Sequence, residues 1–462
     1  MVLTSKPVRP KPGSAYRGAS KSSDKPGLAA RQAASRLLAA VIDKKASLDG
    51  MLDQTGGNPA YMALSPADRG LVRAILNTAL RHLPRIDAMI GSLLKTPLPD
   101  GARALQHVLA VAAAQILYLD VPDRAAVDLA VEQANEDPRN KRFASLVNAL
   151  LRRLSSDKER LLAEVGASVP ALPDWFQTRL KAIYGPDAAL AIAEAHLAPA
   201  AIDLTVKSDP EGWAKRLGGV VLPTGSVRLA DYEGSVVDLE GYADGEWWVQ
   251  DAAAAIPARL FGDLQGKRVV DLCAAPGGKT AQLIHAGAKV TALDMSANRL
   301  KRLKENLDRL RFDAELIEGN AGEYKPEALF DAALLDAPCS STGTARRHPD
   351  VPWTKGLDDV RKLGGVQERL LRHALSLVKP GGIVVFSNCS LDPIEGEEMI
   401  ERLLQGMPTV SRVAVPTSVL PGLSEAITAK GEVRTTPAML KSETAAASGM
   451  DGFYACVLRR DS

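Results

Sequence analysis

Residues 266–280, GKRVVDLCAAPGGKT, run from an apolar strand (Val269–Leu272) through a turn of small residues into a helix. Three readings compete for such a turn. A phosphate-binding P-loop needs glycine five positions ahead of Gly278-Lys279-Thr280, but Cys273 stands there. The GxGxxG spacing of dinucleotide folds fails as well. What remains is an acid at the strand end, Asp271, followed by residues small enough for the backbone to approach a bulky ligand. The next strand, AKVTALD, ends at Asp294, and a third, DAALLD, ends at Asp336. Ligands of open α/β sheets bind at the carboxyl ends of the strands, and an acid at the second strand end accepts hydrogen bonds from ribose hydroxyls. Capping of the helix that follows is the alternative role for Asp294. That helix buries a stripe of Leu300, Leu303, Leu307 and Leu310 and turns its Arg and Lys residues to solvent.

Two cysteines follow strand ends on the same edge. Cys339 lies in APCSSTGTARRHPD, with Arg346, Arg347 and His348, and Cys389 closes GGIVVFSNC. A lone cysteine is ordinarily an inert buried thiol. A pair beside a nucleoside-type pocket suits a reaction that needs a sulfur nucleophile. Methylation at C5 of cytosine is such a reaction: a thiolate adding at C6 makes C5 enamine-like, and an acid near N3 stabilises the adduct.

Outward from this core the chain divides. The 462 residues predict two or three domains. Residues 1–27 carry six Lys and Arg against Asp24 and predict a disordered basic arm, suited to touching RNA phosphates. Residues 28–155 repeat apolar positions at helical spacing, with a helix-start box at Ser65 and Asp68 opening Gly70–Leu83. Residues 168–250 predict a small α+β unit: a helix over Leu172–Gly185, then strands near Ala201–Val206, Val227–Leu229 and Trp247–Val249. Residues 251–462 alternate strands with helices, the signature of a parallel sheet. A net charge of +2 makes any RNA surface local. No stretch approaches the ~20 apolar residues of a membrane span, and the N-terminus lacks a signal core, so a cytoplasmic protein is expected. Four dispersed cysteines and six histidines without HExxH predict neither a disulfide scaffold nor a metal site.

Two family resemblances sharpen these expectations. ARQAASRLLAAV, LSPADRGLVRAILNTALRHLPRIDAMI, AVDLAVEQAN and FASLVNALLRRL resemble the NusB family of RNA-binding helical domains. DLCAAPGGKT, DAPCSSTGTARRHPD, FSNCSLDPIEGE and GMDGFYACVLRR resemble the Nop/Sun (Fmu) family of RNA 5-methylcytosine methyltransferases, across roughly residues 170–462. A NusB-like domain in front resembles the bacterial 16S ribosomal RNA branch. The resemblance implies Cys389 as the nucleophile, Cys339 as the residue assisting adduct release, and Asp336 facing both cytosine and cofactor, with Lys279 near the active centre. It also implies a site for S-adenosylmethionine built from Cys273, Ala274, Ala275, Pro276, Gly277, Gly278, Lys279, Asp294, Asn320 and Asp336. Arg346, Arg347 and His348 are expected to contact RNA.

Several positions depart from the family pattern. Asn320 stands where Asp is common, Asn388 where Thr is usual, and Gly396 where Asn is frequent. Thr205 and Lys207 occupy a strand that usually offers Arg and Asn to RNA. The expected architecture is therefore multidomain: an all-α NusB-like domain, a small α+β (RRM-like) subdomain and an α/β Rossmann-like methyltransferase domain. A tRNA cytosine-C5 methyltransferase and a non-catalytic RNA-binding assembly factor are the alternative functions. The oligomeric state is open.

Overall fold

Ser65 starts the longest N-terminal helix as expected: its Oγ accepts the Asp68 N–H at 3.1 Å, and Pro66 occupies the first turn. The helix then runs beyond Leu83, through Pro84, to Leu93, because Ile86, Met89 and Ile90 continue its buried stripe. Together with Leu28–Lys44, Arg103–Tyr118, Asp123–Glu136 and Ala144–Ser156 it encloses one apolar core of leucine, valine, isoleucine and alanine. The computed structural model describes residues 25–462 apart from 54, 55, 231 and 233. The expected basic arm therefore lies outside the described residues up to 24.

Next comes a four-stranded antiparallel sheet of β1 (Ile202–Val206), β2 (Val220–Val221), β3 (Val227–Leu229) and β4 (Trp247–Val249), in the order β2-β3-β1-β4. Helix Pro210–Leu217 lies between β1 and β2, and a 3₁₀ turn at Val236–Asp238 between β3 and β4. Leu204, Trp213, Val227, Leu229 and Trp247 form its core. Arg228 forks onto Asp203 at 2.7 and 2.8 Å, and its third nitrogen donates to the Gly449 carbonyl at 2.7 Å. This fully buried, fully bonded pair fastens the small sheet to the C-terminal loop. The helices Asp174–Tyr184 and Pro186–Ala195, expected within the same α+β unit, pack instead around Leu391. Arg179 forks onto Asp392 at 2.6 and 2.8 Å there, and the Tyr184 hydroxyl donates to the Leu391 carbonyl.

The large sheet holds β5 (Arg268–Leu272), β6 (Lys289–Asp294), β7 (Glu315–Glu318), β8 (Phe330–Asp336), β9 (Val378–Asn388), β10 (Val410–Val413), β11 (Val433–Thr435) and β12 (Phe453–Arg460). Its order is β10-β12-β9-β8-β5-β6-β7, with β11 paired to β12. Strands β5 to β9 are parallel, but β12 runs antiparallel between β9 and β10. The C-terminal part thus departs from the all-parallel pattern, because antiparallel neighbours need no crossover helix and the chain from Pro408 to Gly452 supplies loops. Side chains alternate between two cores: Val269, Val385 and Val457 on one face, Val270, Val384 and Leu458 on the other. Among the described residues no helix is long and apolar enough to cross a membrane.

Candidate active site

The chain winds from β5 outward to β6 and β7, then returns to β8 on the other side of β5. The loops at the carboxyl ends of β5 and β8 diverge there, which opens a crevice at the topological switch point. A cavity of about 600 Å³ occupies it, within the range of small-molecule sites. Asp271, the Cys273–Lys279 turn and Asp336 form one wall, and Arg347, His348 and Asp451 another.

The turn has its shape because two residues adopt positive φ, Cys273 at 63° and Gly277 at 102°. A Cβ on Gly277 would stand 2.9 Å from the Leu303 Cγ, so glycine is required both for conformation and for packing. Thr280 Oγ1 donates to Asp271 Oδ2 at 2.6 Å, while Asp271 Oδ1 is buried without a partner. Burial pushes the Asp271 carboxyl up to about 7. Burial also pushes the Cys273 thiol up to about 12, which makes it a wall residue rather than a nucleophile.

Asp294 and Asn320 sit at the ends of β6 and β7 but do not line this cavity. Asp294 accepts the Ala275 N–H at 3.2 Å and the Ser296 N–H at 3.1 Å, and the Arg299 guanidinium stands 3.3 Å from it. It therefore organises both the glycine turn and the next helix. Asn320 is exposed and accepts the Gly322 N–H at 3.0 Å. Lys207 reaches across to donate to the Leu310 carbonyl at 2.6 Å, and Thr205 donates to Gln250 at 3.0 Å.

Beyond the cavity wall the two thiols meet. Cys339 Sγ and Cys389 Sγ are 3.4 Å apart. Neighbouring parallel strands bring them together: Asp336 on β8 is in register with Ser387 on β9, and each cysteine follows its strand within three residues. The Cys389 thiol is lowered, chiefly by its hydrogen bond with Cys339, and that bond and burial hold the Cys339 thiol well above the usual range. Asp336 is gripped on both oxygens, by Lys279 Nζ at 2.7 Å and Ser387 Oγ at 2.9 Å.

Sequence reasoning overlooked three participants. Glu395 is buried beneath the Cys339 loop and accepts from the Ser340 N–H at 2.9 Å, Gln367 at 2.9 Å and Ser390 at 2.6 Å. Phe453 lies under the Lys279 ammonium, 4.9 Å from its ring centre. Asp451 lines the cavity. All three lie inside quoted motifs, yet only folding shows that they face the site.

The three residues expected at RNA part company. Arg346 is 1% exposed, donates to the Ser448 carbonyl at 2.9 Å and stands 3.8 Å from Asp251, so its side chain holds the loop rather than a surface. Arg347 bonds Asp251, Asp451 and the Ala201 carbonyl, with one edge on the cavity. His348 is partly exposed and pairs with Asp49 of the helical layer at 2.9 Å, which raises its imidazole above the usual value.

Comparison with known proteins matches both halves. The profile of the 16S rRNA methyltransferase RsmB/F family covers residues 261–459, and that of the NusB family covers residues 28–156. The ribosomal RNA small subunit methyltransferase B of Vibrio cholerae is 32% identical over 93% of this chain and 97% of its own length. Its namesake in Pseudomonas putida is 35% identical over 84% of this chain and 91% of its own. The crystal structure of PH0851 superposes with a TM-score of 0.69 at 22% identity, covering 95% of this chain and all of that one, a likeness of fold. A methyltransferase homolog protein from Pyrococcus horikoshii gives a TM-score of 0.50 at 28% identity, over 61% of this chain and 93% of its own.

Proposed function

Because this chain belongs to the 16S rRNA methyltransferase RsmB/F family, we propose that it moves a methyl group from S-adenosylmethionine to C5 of a cytosine in 16S ribosomal RNA, with Cys389 as covalent nucleophile. The observation that carries this reading is the thiol pair: two sulfurs 3.4 Å apart and shifted in opposite senses. A lone structural cysteine has no use for such a partner.

The cofactor pocket fits the donor on three counts. The glycine turn admits a ligand against its backbone, the Asp271 Oδ1 atom awaits a donor, and the cavity volume is that of a nucleoside-sized molecule. Bound there, the sulfonium supplies an electrophilic methyl group. Cys273 to Lys279 and Asp336 would line its binding site. Asp294 and Asn320, at the neighbouring strand ends, would receive the adenosine end.

The chain's own groups then divide the work. Cys339, 3.4 Å away, would donate its S–H to Cys389 and so favour the thiolate that adds at C6. Asp336, held by Lys279 and Ser387, would face N3, and the Lys279 ammonium on it would offset the negative charge that builds on the ring. With C6 saturated, C5 would take the methyl group as the sulfonium's C–S bond breaks, and the donor would leave as the neutral thioether. Arg347 and His348 border the cavity where the RNA strand would enter, and the helical domain extends that surface.

Bisulfite sequencing of 16S RNA treated with the protein and cofactor is the direct test. One new methylated cytosine is expected. Cys389→Ala should abolish it and form no covalent species. Cys339→Ala should stall as a protein–RNA band in a denaturing gel. Swapped bands would reverse the two roles, and full activity in both variants would end the covalent reading.

A further inference from the structure

After methyl transfer the C5 proton must leave before the ring regains aromaticity, and the groups assigned so far include no acceptor for it. The carboxylates around the thiol pair are Asp336, Glu395 and Asp451. Asp336 already binds Lys279 and Ser387, one on each oxygen. Glu395 is saturated as well, with Ser340 and Gln367 on one oxygen and Ser390 on the other. Cys389 at 3.4 Å and burial hold the Cys339 thiol well above the usual range, which disfavours its thiolate and hence a role as base.

Asp451 differs. It is 4% exposed, yet it lines the same cavity. It stands just ahead of β12, whose Tyr454 is in register with Asn388, the neighbour of Cys389. Its Oδ2 accepts from Arg347 Nε at 3.3 Å and its N–H donates to Asp251 at 3.0 Å, whereas Oδ1 has no partner. Arg347 makes its shorter bond, 2.5 Å, to Asp251. Asp271 also has an unpartnered oxygen, but the charges around it are Asp336, Lys279 and Asp294, on the cofactor side. The carboxylates whose charge reaches Cys389 are Asp336 and Asp451.

We propose that Asp451 is the base that takes the C5 proton in the release step. The inference rests on the cytosine-C5 reading above. The proton passes to Asp451 Oδ1, and the C5–H electron pair becomes the C5=C6 double bond. The C6–S bond breaks, and its pair returns to the Cys389 sulfur as thiolate, stabilised by the Cys339 S–H. Asp451 ends as the neutral acid and yields its proton to solvent when the RNA leaves. Burial and the neighbouring Asp251 charge push its carboxyl up to about 7, against the pull of Arg347, Arg346 and His348. Such a value suits a base that must accept and then surrender a proton near neutral pH.

The test uses the full chain, S-adenosylmethionine and RNA tritiated at cytosine C5, in single turnover, with methyl incorporation and tritium release followed separately. Wild type should release tritium at a rate that rises with pH through about 7 and then levels. Asp451→Asn keeps an acceptor for Arg347, so methyl should still be incorporated. Its tritium release should slow by roughly 10²-fold or more, the usual size of a lost acid–base step. The pH rise should vanish, and a methylated protein–RNA band should accumulate. Asp451→Glu should recover part of the release rate. Release at the wild-type rate in Asp451→Asn, or equal loss of incorporation and release, overturns the proposal. If Asp451→Asn fails to fold, the wild-type profile decides: a release rate flat across about pH 6–8 overturns it equally. Wild type that incorporates methyl without releasing tritium instead defeats the cytosine-C5 reading itself.

Discussion

A thiol becomes useful when its proton is cheap to remove, and the four cysteines of this chain separate on that criterion. Cys273 and Cys456 are pushed up to about 12 by burial, and Cys389 is lowered chiefly by its hydrogen bond with Cys339. Alkylation requires the thiolate, so the rate climbs with pH until the thiol's own pKa is passed. For Cys389 that climb should come earlier than for Cys273 and Cys456. Iodoacetamide at neutral pH should therefore label Cys389 ahead of Cys273 and Cys456, as read by peptide mass spectrometry. In Cys339→Ala that hydrogen bond is gone, and the Cys389 climb should move to higher pH. Labelling of Cys273 first would contradict the assignment.

At the scale of elements, the site depends on three loops that interlock at Gly343. Its N–H donates to the Cys389 carbonyl at 2.9 Å, and its carbonyl accepts the Gly452 N–H at 2.8 Å. A Cβ there would fall 2.0 Å from the Gly452 oxygen. The Cys389 loop and the Asp451 loop are thus sewn together through a residue with no room for a side chain. Gly343→Ala should cost about 1–3 kcal/mol in thermal unfolding, as overpacking does, and should reduce methyl transfer by more than the loss of folded protein accounts for. Gly365→Ala, on the helix Leu357–Leu377, meets nothing nearer than the Arg369 side chain at 3.8 Å. It should stabilise by roughly 0.5–1 kcal/mol, since alanine is the better helix former.

At the scale of the molecule, the helix Pro66–Leu93 helps to join the halves. Pro84 lacks the N–H that would bond the Leu80 carbonyl, and the Trp353 indole N–H of the catalytic half donates to that carbonyl at 3.0 Å. Arg81 and Arg85, on the same helix, donate to the His196, Arg346 and Val169 carbonyls. Trp353→Phe should destabilise by about 1–3 kcal/mol, the cost of an unsatisfied buried acceptor. In a Pro84→Ala background the helix supplies its own N–H to Leu80, so the same Trp353 change should cost less. A double-mutant cycle in thermal unfolding measures the difference. Equal costs in both backgrounds would mean that Trp353 acts by packing alone.

Local chemistry made the order of parts legible in the chain itself. Helical periodicity marked the N-terminal layer, the failed P-loop spacing at Cys273 marked the cofactor turn, and strand ends located Asp271, Asp294, Asp336, Cys339 and Cys389. Each of these depends on neighbours a few residues away. What depends on residues far apart needed the tertiary structure. The 3.4 Å meeting of Cys339 and Cys389 arises from the register of β8 with β9. The antiparallel insertion of β12 brings Asp451 and Phe453 to the site across some 60 residues from Cys389, a separation that no periodicity encodes. Arg346 looks like any surface arginine in the sequence, but burial turns it into a brace. Pairing across a sheet and loss of solvent are properties of the assembled chain, because both are set by which distant segment arrives alongside.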